Sequence, residues 1–593
     1  MTTLNLGVIG NCTYSALIDP KGRILWCCLP RFDGDPVFNA LLAGEDDPSE
    51  GLFSIGLEGL TETEQHYDGN TAVLVTRLHS SSGSLEITDS APRFFWRDRI
   101  FRPQTLVRRI RPLSGTPRIS IRVKPTFGYG TQRPQSTRGS NHIRYVGPEM
   151  TLRLTTNAPI DYVLDETFFN LSAPIDFIFG PDETIEDGVA HTAREFEERT
   201  AAYWRGWVAN LALPFEWQDA VIRAAITLKM CTYEPTGAII AAMTTSIPEA
   251  PDSGRNWDYR FCWLRDAFFV VRALNSLGTV QTMENYFRYL MDIVADADGG
   301  HLQPVFGIGR ERQLTENILD HFAGYRGMGP VRCGNQAFEH YQHDVYGNVI
   351  LGAAQIFFDR RIEMKPNITH FQLLEQAGEQ AYRLYNQPDA GMWELRSRSR
   401  VHTSSSLMCW AACDRLAHIA AQLGEAARVR YWRERADEIK ERILAEAWSE
   451  KRRAFVESFG GETLDASVLL MAEVGFIDPR DPRFVSTVDE LEKVLAIGPH
   501  MMRYEAADDF GKPEVAFNIC AFWRLDALAR IGRREEAREI FEALLKARNP
   551  LGILSEDTHP VTGEMWGNYP QTYSMVGIIN GARRLSKPWE TVV

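Results

Sequence analysis

The chain has 593 residues, 44% hydrophobic and 24% charged, the balance of a globular protein with material for large cores and more than one domain. With 78 acidic against 64 basic residues, its net charge of −14 argues against a nucleic-acid or anionic-membrane surface. No run approaches the roughly 18 uninterrupted apolar residues that cross a bilayer.

The first ten residues lack the basic start and apolar run of a signal peptide. The nine cysteines are scattered and odd in number, a pattern of reduced thiols. The expected compartment is therefore the cytoplasm.

Residues 1–190 read as strands. Residues 11–29 alternate short β-prone runs around the turn Asp19-Pro20-Lys21-Gly22. Similar runs recur at 71–78, 84–88, 104–113, 119–123, 142–146, 150–155 and 175–179, separated by Gly, Pro, Ser and Asn. Many short strands at close spacing predict an antiparallel β-sandwich. Residues 191–213 form a charged, helix-prone connector whose Trp204 and Trp207 are expected at a domain interface.

From 214 to 593 the apolar period changes to 3.6. Stripes fall near 215–231, 264–277, 282–295, 343–360, 369–386, 406–423, 426–448, 464–475, 483–494, 514–531, 534–547 and 571–586. Periodicity alone predicts a large helical domain. The long loops at 296–342 and 495–513 carry its unusual residues.

The densest stretch is Asn256-Trp257-Asp258-Tyr259-Arg260-Phe261-Cys262-Trp263-Leu264-Arg265-Asp266-Ala267. An apolar helical pattern follows at once, which puts Arg265 and Asp266 at a loop-to-helix junction on a rigid mount. Aromatic faces beside Arg and Asp suit a sugar, whose ring faces stack and whose hydroxyls need donors and acceptors.

This stretch resembles the signature of glycoside hydrolase family 15, the glucoamylase, glucodextranase and trehalase group. In that family a Trp-x-Arg-Asp grips the terminal glucose. Here the match is Trp263-Leu264-Arg265-Asp266, preceded by Tyr259. The resemblance implies that the helices close into an (α/α)6 barrel behind the N-terminal β-sandwich. It also implies that loops such as Pro30-Arg31-Phe32-Asp33 can reach the active site.

Glycoside hydrolysis usually takes two carboxyl groups, one to protonate the departing oxygen and one to attack or to activate water. The resemblance places the acid at Glu394, in Gly391-Met392-Trp393-Glu394. A carboxyl beside an indole is poorly hydrated, which suits a proton donor. Family members often continue with a Ser-Lys pair. Here Ser404-Ser405-Ser406 stands in its place, which bears on the aglycone accepted. The base falls at Glu556, in Leu554-Ser555-Glu556-Asp557, with Glu564 as its competitor. Glu556 is preferred because Leu-Ser-Glu precedes the Gly-Asn-Tyr-Pro-Gln block, as in the family.

The same resemblance assigns substrate contacts to Tyr259, Trp263, Arg265, Asp266, Arg332, Trp393, Arg503 and Trp566, with Tyr569 and Gln571 completing the wall. His301, His321, His340 and His343 lack any metal-ligand spacing, and no phosphate-binding glycine loop is present. Neither cofactor nor metal is expected. The expectation is an inverting exo-α-glucosidase acting on a small α-glucoside, trehalose or short malto-oligosaccharides. The rivals are an inverting phosphorylase on the same architecture and a catalytically inactive sugar-binding protein. A homo-oligomer is compatible with the sequence.

Overall fold

The structure is a computed structural model that describes residues 3–591. Its N-terminal part is built from two antiparallel sheets. The seven-stranded sheet runs Gly7–Gly10, Ser15–Ile18, Ile24–Leu29, Leu52–Leu57, Arg118–Lys124, Phe169–Asn170, with Asp35–Phe38 paired onto Ile24–Leu29. The eight-stranded sheet runs from Gln135–Arg138 at one edge through His142–Val146, Thr151–Thr156, Ile175–Pro181, Leu106–Gly115, Gly83–Ser90 and Leu74–Ser80 to Leu60–Tyr67.

Period-2 patterning explains the packing. In Arg118–Lys124 only Ile119, Ile121 and Val123 are buried, and all three enter the core between the sheets. Ile24–Leu29 breaks this rule because it is buried on both faces. Ile24, Cys27 and Leu29 face the other sheet, while Leu25, Trp26 and Cys28 join the core of the helical domain. A strand covered on both sides reads as a continuous apolar run. The seven-stranded sheet is thus the floor on which the barrel stands.

Helix Val189–Ala209 leads out of the sandwich. Its Ala193 packs with Val107 and Ile178 of the eight-stranded sheet, and its Trp204 is fully buried in the core of the helical domain.

Twelve helical elements then form two concentric rings, an (α/α)6 barrel. The inner ring is Leu264–Ser276, Asp344–Phe358, Thr403–Leu423, Leu470–Glu473, Asn518–Arg530 and Thr572–Leu585, and it closes where the last packs against the first. The outer ring is Gln218–Met230, Val280–Ala297, Ile368–Leu384, Ala426–Glu446, Pro482–Leu495 and Arg534–Lys546. Burial separates the two except at Gln218–Met230, an outer helix that also packs on the sandwich and is buried nearly throughout. In Asp344–Phe358 all but two residues are buried, whereas Arg534–Lys546 buries only Ala537, Ile540, Phe541 and Leu544 on one stripe.

The fourth inner element departs from the helix expected over 464–475. A 3-10 turn, Ala466–Leu469, runs into the single α-turn Leu470–Glu473. The Asp465 side chain caps it at Ser467 N, 2.8 Å away, and Gly475 at φ +80° ends it.

Candidate active site

All six inner elements point their N-termini toward one end of the barrel. There the long loops enclose a cleft of about 930 Å³, counting the part open to solvent.

The stretch expected to organise the site is extended, so its side chains alternate. Trp257, Tyr259 and Trp263 line the cleft. Asp258 and Arg260 turn the other way and are buried. Arg260 donates to both Asp258 oxygens, at 2.9 and 2.7 Å, and reaches Gly34 O and Tyr129 OH of the sandwich at 3.0 and 3.1 Å. This pair pins the site to the N-terminal domain.

At the helix start Arg265 donates to Met392 O at 2.8 Å and lies 3.3 Å from Asp266. Asp266 sits in the first turn of Leu264–Ser276, where the helix dipole favours a carboxylate. Burial pushes its carboxyl up to about 6 against the pull of Arg265. Its buried Oδ2 has no aligned donor among the described residues.

Glu394 lies in a tight turn, with its N–H on Gly391 O at 3.2 Å and φ at +61°, a conformation rare outside glycine. Its Oε1 accepts from Trp263 Nε1 at 2.6 Å and is 3.8 Å from Arg265 Nη2. The side chain is 24% exposed. The indole that touches it is thus Trp263, not its neighbour Trp393. Trp393 donates instead to Asp465 Oδ2 at 2.7 Å and lays its ring beside Tyr504 and Phe517 in the cleft wall.

Glu556 is buried. Its Oε1 accepts from Tyr259 OH at 2.8 Å and Arg503 Nη2 at 3.0 Å, while Oε2 has no partner among the described residues. Arg503 also serves Glu249, and Asp557 at 3.2 Å. Burial raises the proton affinity of Glu556, and the charges of Asp557 and Glu249 raise it further against Arg503. Burial likewise pushes Asp557 up to about 8. Tyr259 and Trp263 meet edge to face with ring centres 5.3 Å apart. Each carboxyl, Glu394 and Glu556, is therefore held by one of two touching rings.

Three expected wall residues, Arg332, Trp566 and Tyr569, lie outside the cleft lining. Arg332 pairs with Glu316 at 2.7 Å and stands over the Trp257 ring at 5.2 Å, behind the cleft lining. Trp566 is buried against Tyr325 and Arg326. Glu564 pairs with Arg326 at 2.7 Å and is also outside the lining. Tyr569 is buried and donates to Leu6 O at 2.5 Å, while Gln571 lines the cleft and caps helix Thr572–Leu585. Arg31 in the Pro30–Asp33 loop pairs with Glu311 at 2.6 Å, beyond the cleft.

Sequence reasoning missed Glu249, Asp508, Phe517 and Tyr573, which line the cleft, and Asp557 behind it. The Glu556-Asp557 doublet was the one visible signal for Asp557. Among the described residues no group of three His, Cys, Asp or Glu side chains could hold a metal ion, and no helix is long and apolar enough to cross a membrane.

Comparison with known proteins adds a second line. The model of "Glycosyl hydrolases family 15" matches residues 217–583, and that of "Trehalase-like, N-terminal" matches 4–167. The trehalase of Mycobacterium tuberculosis is 33% identical over 95% of this chain and 87% of its own. The trehalase of Thermoplasma volcanium is 30% identical over 98% of this chain and 93% of its own. A bacterial glucoamylase solved with acarbose superposes with a TM-score of 0.69 at 13% identity, covering 99% of this chain and 94% of that one.

Proposed function

The chain belongs to family 15 of the glycosyl hydrolases, and from that premise we propose that it hydrolyses α,α-trehalose with inversion. One arrangement carries the reading: Glu394 and Glu556 line a single cleft with Arg265 and Asp266, joined through the Trp263–Tyr259 contact. The choice of trehalose is supported by relatives named trehalase that align along both sandwich and barrel.

In this mechanism Arg265 and Asp266 hold one glucose, with Asp266 Oδ2, which has an ion-pair neighbour but no aligned donor, accepting from a sugar hydroxyl. Glu394 gives its proton to the glycosidic oxygen, and the bond from that oxygen to the anomeric carbon breaks. Water attacks the carbon from the opposite face while Glu556 takes its proton. One trehalose and one water become one β-glucose and one α-glucose. Tyr259 and Arg503 orient the Glu556 carboxyl through Oε1. The nine free cysteines support a reducing compartment, the cytoplasm.

A proton NMR time course on trehalose, maltose and isomaltose tests this. Equal first release of the α and β anomers from trehalose is expected. Release of the α anomer alone, dependence on phosphate, or no glucose from any of the three would reject it.

A further inference from the structure

The segment Asp508-Asp509-Phe510-Gly511 is a tight turn, closed by Asp508 N on Gly511 O at 3.0 Å. Gly511 takes φ +99°, a conformation side chains resist. Asp508, Asp509 and Phe510 all line the cleft.

Two anchors fix the turn, one on Arg255 and one on the segment after Glu394, whose Arg396 stacks over the Trp257 ring at 4.5 Å. Asp508 forms a two-pronged pair with Arg255, with Nη2 to Oδ1 at 2.6 Å, and Arg255 also donates to Gly511 O at 3.1 Å. Arg255 leads into Trp257 and Tyr259 and lies 3.9 Å from Glu249, on the side of Glu556. Asp509 accepts from Arg396 N at 2.6 Å, from Ser397 N at 3.1 Å and from the Ser397 hydroxyl. Those residues lie two and three positions after Glu394.

Asp508 takes two protein donors on each oxygen, while Asp509 takes two on Oδ1 and one on Oδ2. Beside Arg255, the donors to Asp508 are Phe510 N at 2.8 Å and the Tyr504 hydroxyl. Asp508 is thereby left no oxygen for a sugar hydroxyl. Their work is to hold the Phe510 ring at the lip, edge-on to Trp257 at 5.5 Å, where it stays 43% exposed.

From this we infer that the turn 508–511 sets the length of the substrate, admitting one ring beyond the scissile bond and stopping a longer glucan. The anchor point at Arg396 is two residues from the proton donor, at most about 7 Å of chain, the span of one pyranose and not of two. The inference rests on the glucoside reading of the cleft and deepens it. The substrate class is a disaccharide α-glucoside whose outer ring packs against Trp257 and Phe510.

Calorimetric titration of the full chain with two probes tests it. The first is 1-deoxynojirimycin, one glucose-shaped ring; the second is acarbose, four rings in a row. The wild type should hold the single ring and reject the longer ligand. In Asp509→Ala/Phe510→Ala the ratio of the two dissociation constants should move toward acarbose by at least about tenfold. An unchanged ratio overturns the inference. So does a wild type that binds acarbose more tightly than the single ring, a result that needs no variant. If the double variant does not fold, Phe510→Ala supplies the same ratio from an exposed side chain. A wild type that binds neither probe overturns the glucoside reading, and this one with it.

Discussion

Asp557 makes no contact with the cleft, yet it should set the pH at which the enzyme works. Its Oδ1 and the Oε1 of Glu556 lie 3.2 and 3.0 Å from the same Arg503 nitrogen. The two oxygens are therefore no more than about 6 Å apart, and at an effective dielectric of ~20 two like charges at that distance repel by ~2.8 kcal/mol, or ~2 pH units. A base works only when ionised, so activity falls as the pH drops through its proton affinity. The burial of Glu556 and the charge of Asp557 place that fall above the ordinary glutamate range. Above about pH 8, where Asp557 has lost its own proton, Asp557→Asn removes that charge and keeps an oxygen for Arg503. The acid limb of kcat/KM should then move down by about 1–2 pH units, less than the full Coulomb figure because Arg503 is partly freed to relax. The limb reports the coupled pair and not one residue, so the measured quantity is the displacement between the two profiles. A variant whose limb stays in place or moves up would refute the electrostatic reasoning, whatever its kcat.

Three further outcomes follow from the same geometry. Glu394→Gln keeps an acceptor for Trp263 but cannot donate, so kcat on trehalose should drop by about 10²–10⁴. α-Glucosyl fluoride, whose leaving group needs no proton, should escape most of that loss; an equal loss on both substrates would remove Glu394 from the acid role. Gly567 stands at φ +74°, and an added Cβ would come within 2.6 Å of Glu556 Cβ and 2.8 Å of Oε2. Gly567→Ala should cost ~1–2 kcal/mol in chemical denaturation for the backbone alone and lower kcat beyond that, and wild-type kinetics would show that Glu556 is not held there. Asp389 is pushed up to about 7 by burial, so at pH 6 it is protonated in the fold but ionised in the unfolded chain. The stability it contributes is full below the unfolded value of ~3.9 and is lost as the pH rises through about 7. Asp389→Asn has no proton to lose, so its Tm should fall less than the wild type's between about pH 5 and about pH 8.

Much of the fold was legible because burial leaves a period. The strands of the sandwich core alternate, and the stripes of period 3.6 fall on the two rings of helices. Leu60–Tyr67 and Gln135–Arg138 left no trace, since both are outer strands of the eight-stranded sheet and are largely polar and exposed. The 464–475 helix was overcalled because a 3-10 turn buries the same apolar residues as an α-turn. In the site, residue type and motif brought Glu394, Glu556, Tyr259, Trp263, Arg265, Asp266, Trp393 and Arg503 to one cleft. Arg332 and Trp566 lie in two-residue strands, where composition does not say which face a side chain takes, and both turn away. Glu249 sits in a loop with no periodicity, and only the folded chain brings it to Arg503.

The barrel also explains how so many acids share one place. Glu249, Asp266, Asp344, Glu394, Asp465, Asp508, Asp509, Glu556 and Asp557 cluster at this end, against Arg255, Arg265, Arg396 and Arg503. Five full inner helices begin there, each counting as roughly half a positive charge, so the ring itself supplies about two to three. That does not balance the excess, and the remainder is met by protons: burial moves Asp266 to about 6, Asp465 to about 7 and Asp557 to about 8. Groups poised this way exchange protons near neutrality, which acid–base catalysis requires. The same poise makes the arginines more than ligands. Removing Arg503 would leave Glu249, Glu556 and Asp557 without their common cation, and the protons they would then take up would disable the base proposed at Glu556 before any sugar contact was lost.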